Sequence, residues 1–262
     1  ALGMPPPDRH IASVSFGKDS LAMVLYILEH GLPLDEVMFY DTGMEFEAIY
    51  RIRDKLLPIL AARGIRYTEL SPPVPFLYDM LERSVVSRQK GSHFGYGWCG
   101  GTCRWGTSRK QQTLDAHSKG AATVYIGFAA DEPHRIHGLS PPKCAPLVEW
   151  GFNEADCLAY CRERGWRWLQ ASPAAESGYI DLYDILDRVS CWCCSNKNRR
   201  ELKNIFTYLP DYWERLKAIQ ARLDRPMKAY QNKRDGCYGR VEQLEKVFEQ
   251  EAKFEKVGKN HG

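Results

Sequence analysis

The chain has 262 residues, a net charge of +3 and 44% hydrophobic residues, which suits one large domain or one domain with an appendage. This globular balance excludes wholesale disorder, and so mild a positive charge excludes nucleic-acid binding through bulk electrostatics, so that any basic surface must be local. No run approaches ~18 uninterrupted apolar residues, so no membrane span is predicted. No charged-then-apolar leader opens the sequence, and Ala1–Gly3 ahead of Met4 reads as a tag scar. The prediction is a cytoplasmic protein. In that reducing setting its nine cysteines favour metal binding or catalysis over disulfides.

In chain order, residues 9–16 form an apolar, β-branched run that ends in the turn Gly17–Ser20. Residues 21–31 carry apolar side chains at helical spacing up to Gly31. A second buried strand is predicted over 35–43, ending in Asp41, Thr42 and Gly43. The spacing over 46–64 predicts a helix with a kink or break at Pro58. Short strands follow over 65–70 and 121–129, the second leading into the polar stretch Asp131–Arg135. A helix capped by Asn153 is predicted over 153–165 and amphipathic helices over 181–188 and 198–223, before a polar, frayed tail over 249–262. Strands alternating with helices predict a doubly wound, mainly parallel α/β sheet with a C-terminal helical extension. The expected division is a nucleotide-binding domain over 9–170 and a helical region over 171–262. If the strands run parallel, the clusters Gly17–Ser20, Asp41–Glu45 and Asp131–Arg135 meet on one edge of the sheet, where such sheets bind ligands.

Ser15, Gly17, Lys18, Asp19 and Ser20 stand between a strand and a helix. Amides at a helix start, two hydroxyls and a lysine suit a phosphate, although an ordinary capped β–α turn has the same composition. The spacing is too short for a Gly-x-x-x-x-Gly-Lys-Ser/Thr loop.

The segment Ser15–Ser20 resembles the Ser-Gly-Gly-x-Asp-Ser signature of the PP-loop ATP pyrophosphatases, with Phe16 in place of the first glycine. The stretches from Tyr40, Gly127 and Ala145 are similar, in that order, to segments of the phosphoadenosine-phosphosulfate (PAPS) reductase-like branch, with Ala129 where an arginine is common. The resemblance spans roughly residues 10–215 and implies an adenine nucleotide alpha hydrolase-like fold. It implies that Ser15, Phe16, Gly17, Lys18, Asp19, Ser20, Asp41, Thr42, Gly43, Gly127 and Arg135 bind ATP, with Asp19 helping to place Mg²⁺ and Arg135 facing the phosphates.

The cysteines fall into separate groups. Cys157 and Cys161 share one helix face and read as core. Cys99 and Cys103 form one glycine-flanked clip, and Cys191 and Cys194 form another around Cys193. Four thiolates in two short clips suit zinc or an iron–sulfur cluster. Zinc is favoured by clip spacing. The 4Fe–4S cluster is favoured by the resemblance, because Trp98-Cys99 and Cys191-Trp192-Cys193-Cys194 resemble the cluster segments of the branch's sulfur-transferring members. Arg104, Arg109, Lys110, Lys197, Arg199, Arg200 and Lys203 follow the clips and could form a basic mouth or two solvated helix starts. Cys144 and Cys237 are loop thiols, and Cys237 lacks the Glu-Cys-Gly-x-His frame of sulfate-reducing relatives.

Together these readings predict an ATP-dependent sulfurtransferase that forms AMP and pyrophosphate. It adenylates a substrate oxygen on a nucleobase, a nucleic acid (tRNA or DNA) or a small metabolite and replaces it with sulfur. Asp19, Arg135 and Cys193 are the expected catalytic residues, and Cys193 is the spare thiol. A cysteine desulfurase is the natural donor, and a homodimer is admitted. The alternatives are a sulfonucleotide reductase and a non-catalytic nucleotide-binding module of a DNA-modification complex.

Overall fold

The computed structural model describes residues 8–88, 91–99, 101–228, 231–232, 236–237 and 239–259, with the backbone alone at 231–232, 236–237 and 255–259. In chain order it forms β1 (His10–Val14), α1 (Lys18–Glu29), β2 (Glu36–Tyr40), α2 (Glu47–Ala61) and β3 (Arg66–Leu70). Next come α3 (Phe76–Leu81), β4 (Ser84–Ser87), β5 (Gly91–Phe94), a π-helical turn (Arg104–Arg109) and α4 (Lys110–His117). They are followed by β6 (Thr123–Ile126), α5 (Pro133–Ile136), β7 (Lys143–Cys144), α6 (Pro146–Glu149) and α7 (Glu154–Glu163). The last part holds β8 (Leu169–Ala171), β9 (Tyr179–Asp181), α8 (Leu182–Ile185), α9 (Arg199–Tyr208), α10 (Pro210–Ala221), β10 (Gln231–Asn232), β11 (Gly236–Cys237) and α11 (Val241–Lys259).

The chain divides into two units, residues 1–72 with 107–168, and residues 73–106 with 169–262. The sequence reading placed a single cut near residue 170. The structure instead groups 73–106, and with it the first cysteine clip, with the C-terminal segment.

The first unit is a five-stranded sheet in the order β3-β2-β1-β6-β7, and every pair is parallel. All five residues of β2 are buried, as expected of a parallel strand covered on both faces. Ile11, Met38, Tyr40, Leu114, Ala121 and Val124 form a core cluster on this sheet. The strand order reverses at β1, so the gap between β1 and β6 is the switch point of a doubly wound fold. Helix α2 runs through Pro58 for one further turn and stops at Ala61. Helix α7 begins with a capping box between Asn153 and Asp156.

In the second unit, the predicted long helix over 198–223 is two helices that meet at Leu209, where Pro210 opens α10. The tail expected to fray is helical through Lys259. Val241, Leu244 and Phe248 are buried at helical spacing, and Glu251 pairs with Lys203 at 3.2 Å and with Arg199, which carries the helix into the polar segment. Among the described residues, no helix is long and apolar enough to cross a membrane.

Candidate functional site

The turn after β1 departs from ordinary backbone. Phe16 has φ 56°, in the left-handed region, and is the non-glycine residue with positive φ among those described. Such a conformation costs on the order of 1–3 kcal/mol and persists only where its surroundings enforce it. Here the Phe16 ring is fully buried, 5.0 Å from the Phe39 ring in an edge contact, and its carbonyl accepts a 2.7 Å hydrogen bond from Trp168 Nε1. The Ser15 amide donates to Ser20 Oγ at 3.1 Å, and the Gly17 carbonyl accepts from the Leu21 amide and from Ser20 Oγ. The loop is therefore folded onto the start of α1 by its own side chains. On its other flank, a Cβ on Gly127, just after β6, would sit 2.7 Å from Ser20 Cα, so the chain leaving β6 can pass the loop only as glycine.

Lys18 is 6% exposed, and its ammonium bonds Asp19 at 2.9 and 3.1 Å and Glu154 Oε2 at 2.6 Å. Burial alone would lower the Lys18 pKa, but Asp19 and Glu154 outweigh it and hold the ammonium above its ordinary value. Burial pushes the Asp19 carboxyl up, against the pull of Lys18 and with the repulsion of Glu154 and Glu132. Glu154 in turn sits at the start of α7, where its amide donates to Asp131 Oδ1 at 3.1 Å. The loop and the Asp131–Arg135 segment are thus joined through Lys18, Glu154 and Asp131 on the sheet edge predicted from the sequence.

The remaining expected residues of this edge are held locally. Asp41 Oδ1 accepts from the Gly43 amide at 2.7 Å and from the Tyr50 hydroxyl at 2.8 Å, and Thr42 Oγ1 donates to Glu45 at 3.2 Å. Arg135 bonds Glu132 at 2.9 and 2.7 Å and lies 4.1 Å from the Phe128 ring centroid, so its guanidinium is committed within its own segment. Cys157 and Cys161 are fully buried behind the loop, and Cys161 Sγ donates to the Lys18 carbonyl at 3.5 Å. Glu132 lies in the expected Asp131–Arg135 cluster, whereas Glu154 and Trp168 were not among the expected site residues. The capped start of α7 was the available signal for Glu154, whereas nothing local marks Trp168.

The second unit holds both cysteine clips. Ser195 Oγ donates to the Cys99 carbonyl, and Asn196 Nδ2 donates to the Gly101 carbonyl at 3.0 Å, so one clip is pinned to the other along the backbone. Lys228 Nζ donates to the Ser195 and Lys197 carbonyls at 2.5 and 2.6 Å. Ahead of the first clip, the Gly95 amide bonds the Arg83 carbonyl at 2.7 Å, and a Cβ there would strike the Met80 carbonyl, which fixes where the chain leaves β5. Cys99 and Cys103 share a hydrogen bond. That bond and the cations Arg104 and Arg225 lower the Cys99 thiol against its burial, and Cys103 is driven up. Burial lowers the ammonium of Lys197, which the neighbouring Cys194, Glu201 and Cys191 partly offset.

Cys99, Cys103, Cys191 and Cys194 are half-buried, whereas Cys193 is 3% exposed and burial pushes its thiol far up. A sulfur-carrying thiol must be reachable and ionised, so the catalytic role expected of Cys193 does not suit its placement. Four soft donors, with Arg104 and Arg225 favouring thiolate at Cys99, are the donor types of a thiophilic metal or cluster. As they stand, no three Cys, His, Asp or Glu side chains among the described residues come close enough to hold a metal. Of the two readings of the cations after the second clip, the ion pairs favour solvated helix residues over a basic mouth. Lys197 is buried, Arg200 pairs with Asp187, and Arg199 and Lys203 pair with Glu251. The side chain of Cys237 lies outside the described residues.

Comparison with known proteins bears on the first unit. Residues 9–69, from β1 to β3, match the family model described as the phosphoadenosine phosphosulfate reductase domain. The similarity therefore lies in the part of the α/β unit that holds the turn before α1. No curated protein matches the chain. Among solved structures, the chain is similar to the U34-tRNA thiolase NcsA from Methanococcus maripaludis, solved with its 4Fe–4S cluster, at 15% identity and a TM-score of 0.42. That match covers 62% of this chain and 59% of the thiolase, so the chain spans less than two thirds of its length.

Proposed function

We propose that the chain is an ATP-dependent sulfurtransferase that forms AMP and pyrophosphate. The observation that carries this reading is the turn Ser15–Gly17, held in a non-helical shape ahead of α1 at the switch point between β1 and β6. This is where doubly wound sheets bind nucleotides. The loop amides and the start of α1 bind phosphate oxygens, and Lys18, held charged by Asp19 and Glu154, offsets charge at the α-phosphate. Both oxygens of Asp19 are engaged by Lys18, so its first role is to orient that lysine. Asp19 would also help hold a Mg²⁺ bound with the nucleotide, which would supply charge neutralisation at the phosphates. A substrate oxygen attacks the α-phosphate, the α–β bridging bond breaks and pyrophosphate leaves. Sulfur at the sulfide level then displaces AMP, taking the position of the departing oxygen.

Cys99, Cys103, Cys191 and Cys194 would hold a 4Fe–4S cluster or zinc, which supplies a thiophilic centre that keeps sulfur in its reduced form. The four thiols, the two pinning hydrogen bonds and the arginines beside Cys99 support this ligand set. The substrate is an oxygen-bearing nucleobase, nucleic acid or small metabolite, and the setting is cytoplasmic, with a cysteine desulfurase as donor together with a thiol reductant that takes its persulfide sulfur to sulfide and is itself oxidised to a disulfide.

The test is turnover by the anaerobically purified chain with ATP, Mg²⁺, sulfide and a panel of nucleosides and RNA. Stoichiometric AMP and pyrophosphate accompanying sulfur incorporation support the proposal, and failure of pyrophosphate to form with every substrate rejects it. The match of residues 9–69 to a PAPS reductase domain favours sulfonucleotide reduction as a second reading. Release of sulfite from PAPS would identify it.

A further inference from the structure

We propose that Trp168 and Phe16 form a clamp that sets the peptide between Phe16 and Gly17, making both positioning residues for the phosphate loop. The inference rests on the reading of residues 15–20 as that loop. In a trans peptide the carbonyl and the following N–H point in opposite directions, and the 16–17 bond is trans. The Phe16 carbonyl is fixed on the Trp168 indole at 2.7 Å, so the Gly17 N–H is aimed away from Trp168. The Gly17 carbonyl is likewise held by the Leu21 amide at 3.0 Å, and the Lys18 carbonyl accepts from Cys161 Sγ. Three successive carbonyls are thus engaged by internal donors. Gly17 itself is extended, at φ −76° and ψ 170°, so its carbonyl turns into α1 while its N–H stays outside the helix.

With a glycine at position 16, this peptide would reverse at little steric cost, because glycine visits both signs of φ. Phenylalanine at φ 56° replaces that freedom with an anchor. Its ring is fully buried, against Phe39 at 5.0 Å and Tyr67 at 6.3 Å, and Trp168 is fully buried as well. The loop is therefore ordered before any ligand arrives, so its ordering is not charged against binding.

The test uses the full chain and two variants, Trp168→Phe, which keeps a ring but loses the N–H, and Phe16→Gly, which relieves φ but loses the anchor. ATP–Mg²⁺ affinity is measured by calorimetry, and amide hydrogen exchange is followed over 15–21 and, as a control, over β2. Each variant is expected to bind ATP–Mg²⁺ roughly 5–10-fold more weakly, the effect of one hydrogen bond to a buried carbonyl. Exchange should be faster over 15–21 and unchanged over 36–40. Unchanged affinity and exchange in both variants would overturn the clamp. Equal acceleration over 36–40 would also overturn it, because the pair would then be general core. If Trp168→Phe does not fold, Phe16→Gly alone decides. If the unmodified chain binds no ATP, the nucleotide reading fails while the exchange comparison still decides the clamp.

Discussion

Gly127 faces Ser20 so closely that a Cβ on it would lie 2.7 Å from the Ser20 Cα and 2.9 Å from its amide nitrogen. Both neighbours are backbone, which cannot swing aside as a side-chain tip can. Gly127→Ala must therefore part β6 from the loop. Overpacking of this kind costs about 1–3 kcal/mol. The expected result is a lower denaturation midpoint of that size, together with loss of ATP–Mg²⁺ affinity. Gly138, whose Cβ would meet nothing within 4 Å, is the control, and Gly138→Ala should leave affinity unchanged.

The ammonium of Lys18 is shared by Asp19 and Glu154. Removing one member of a buried ionic cluster leaves the others uncompensated. Lys18→Met is expected to abolish AMP formation and to lower stability by about 1–3 kcal/mol, less than a fully buried pair because both carboxylates keep some solvent. Adding Glu154→Gln should recover part of the stability but none of the turnover. Recovery of AMP formation in the double variant would show that Lys18 does not act on the phosphates.

Much of the first unit was legible from short-range pattern. Apolar runs of strand length separated by helical spacing placed β1, β2, β3 and β6, and parallel order alone brought Gly17–Ser20 and Asp131–Arg135 to one edge. What was hidden depended on partners distant in sequence. Trp168 lies 152 residues from the carbonyl it holds, and Glu154 lies 136 residues from Lys18. Charge content also left a choice open. Arg199, Arg200 and Lys203 read as a basic mouth or as solvated helix residues, and the string does not place beside them the two carboxylates they pair with, Asp187 for Arg200 and Glu251 for Arg199 and Lys203. The helical tail was missed because the buried stripe that anchors it, Val241, Leu244 and Phe248, precedes the polar stretch that set the expectation.

Glu36 provides a pH dependence. It is 1% exposed, with Oε1 2.6 Å from His117 Nε2. Burial would raise its carboxyl, but hydrogen bonds from Thr68 and His117 and the charges of His117 and Arg66 outweigh that, so it titrates below its ordinary value of 4.5. A carboxylate lowered on folding contributes stability that is complete above the unfolded value and lost as pH falls through the folded one. Glu36→Gln should therefore destabilise the chain by about 1–3 kcal/mol at pH 7. The gap between the two proteins should close below pH 4.5 in thermal melts run from pH 7 to pH 3. A gap that stays constant over that range would mean that the carboxylate charge is not what holds β2.

The two clips give a final expectation, which separates ligands from bystanders. Cys99, Cys103, Cys191 and Cys194 are half-buried, whereas Cys193 is buried and its burial pushes the thiol up, away from the ionised form. Replacing any of the four by alanine should remove most iron or zinc from anaerobically purified protein, because a metal held by three thiolates exchanges into competing chelators. Cys193→Ala should retain metal and lose only packing, about 1 kcal/mol. Asn196→Ala tests the pin between the clips. It removes one hydrogen bond to the Gly101 carbonyl and no donor sulfur, so metal should still bind but dissociate faster into a chelator. Metal content measured against protein, with the visible absorption of the brown or colourless product, distinguishes these outcomes. Full retention in Cys191→Ala would remove the second clip from the ligand set, and full loss in Cys193→Ala would put the buried thiol into it.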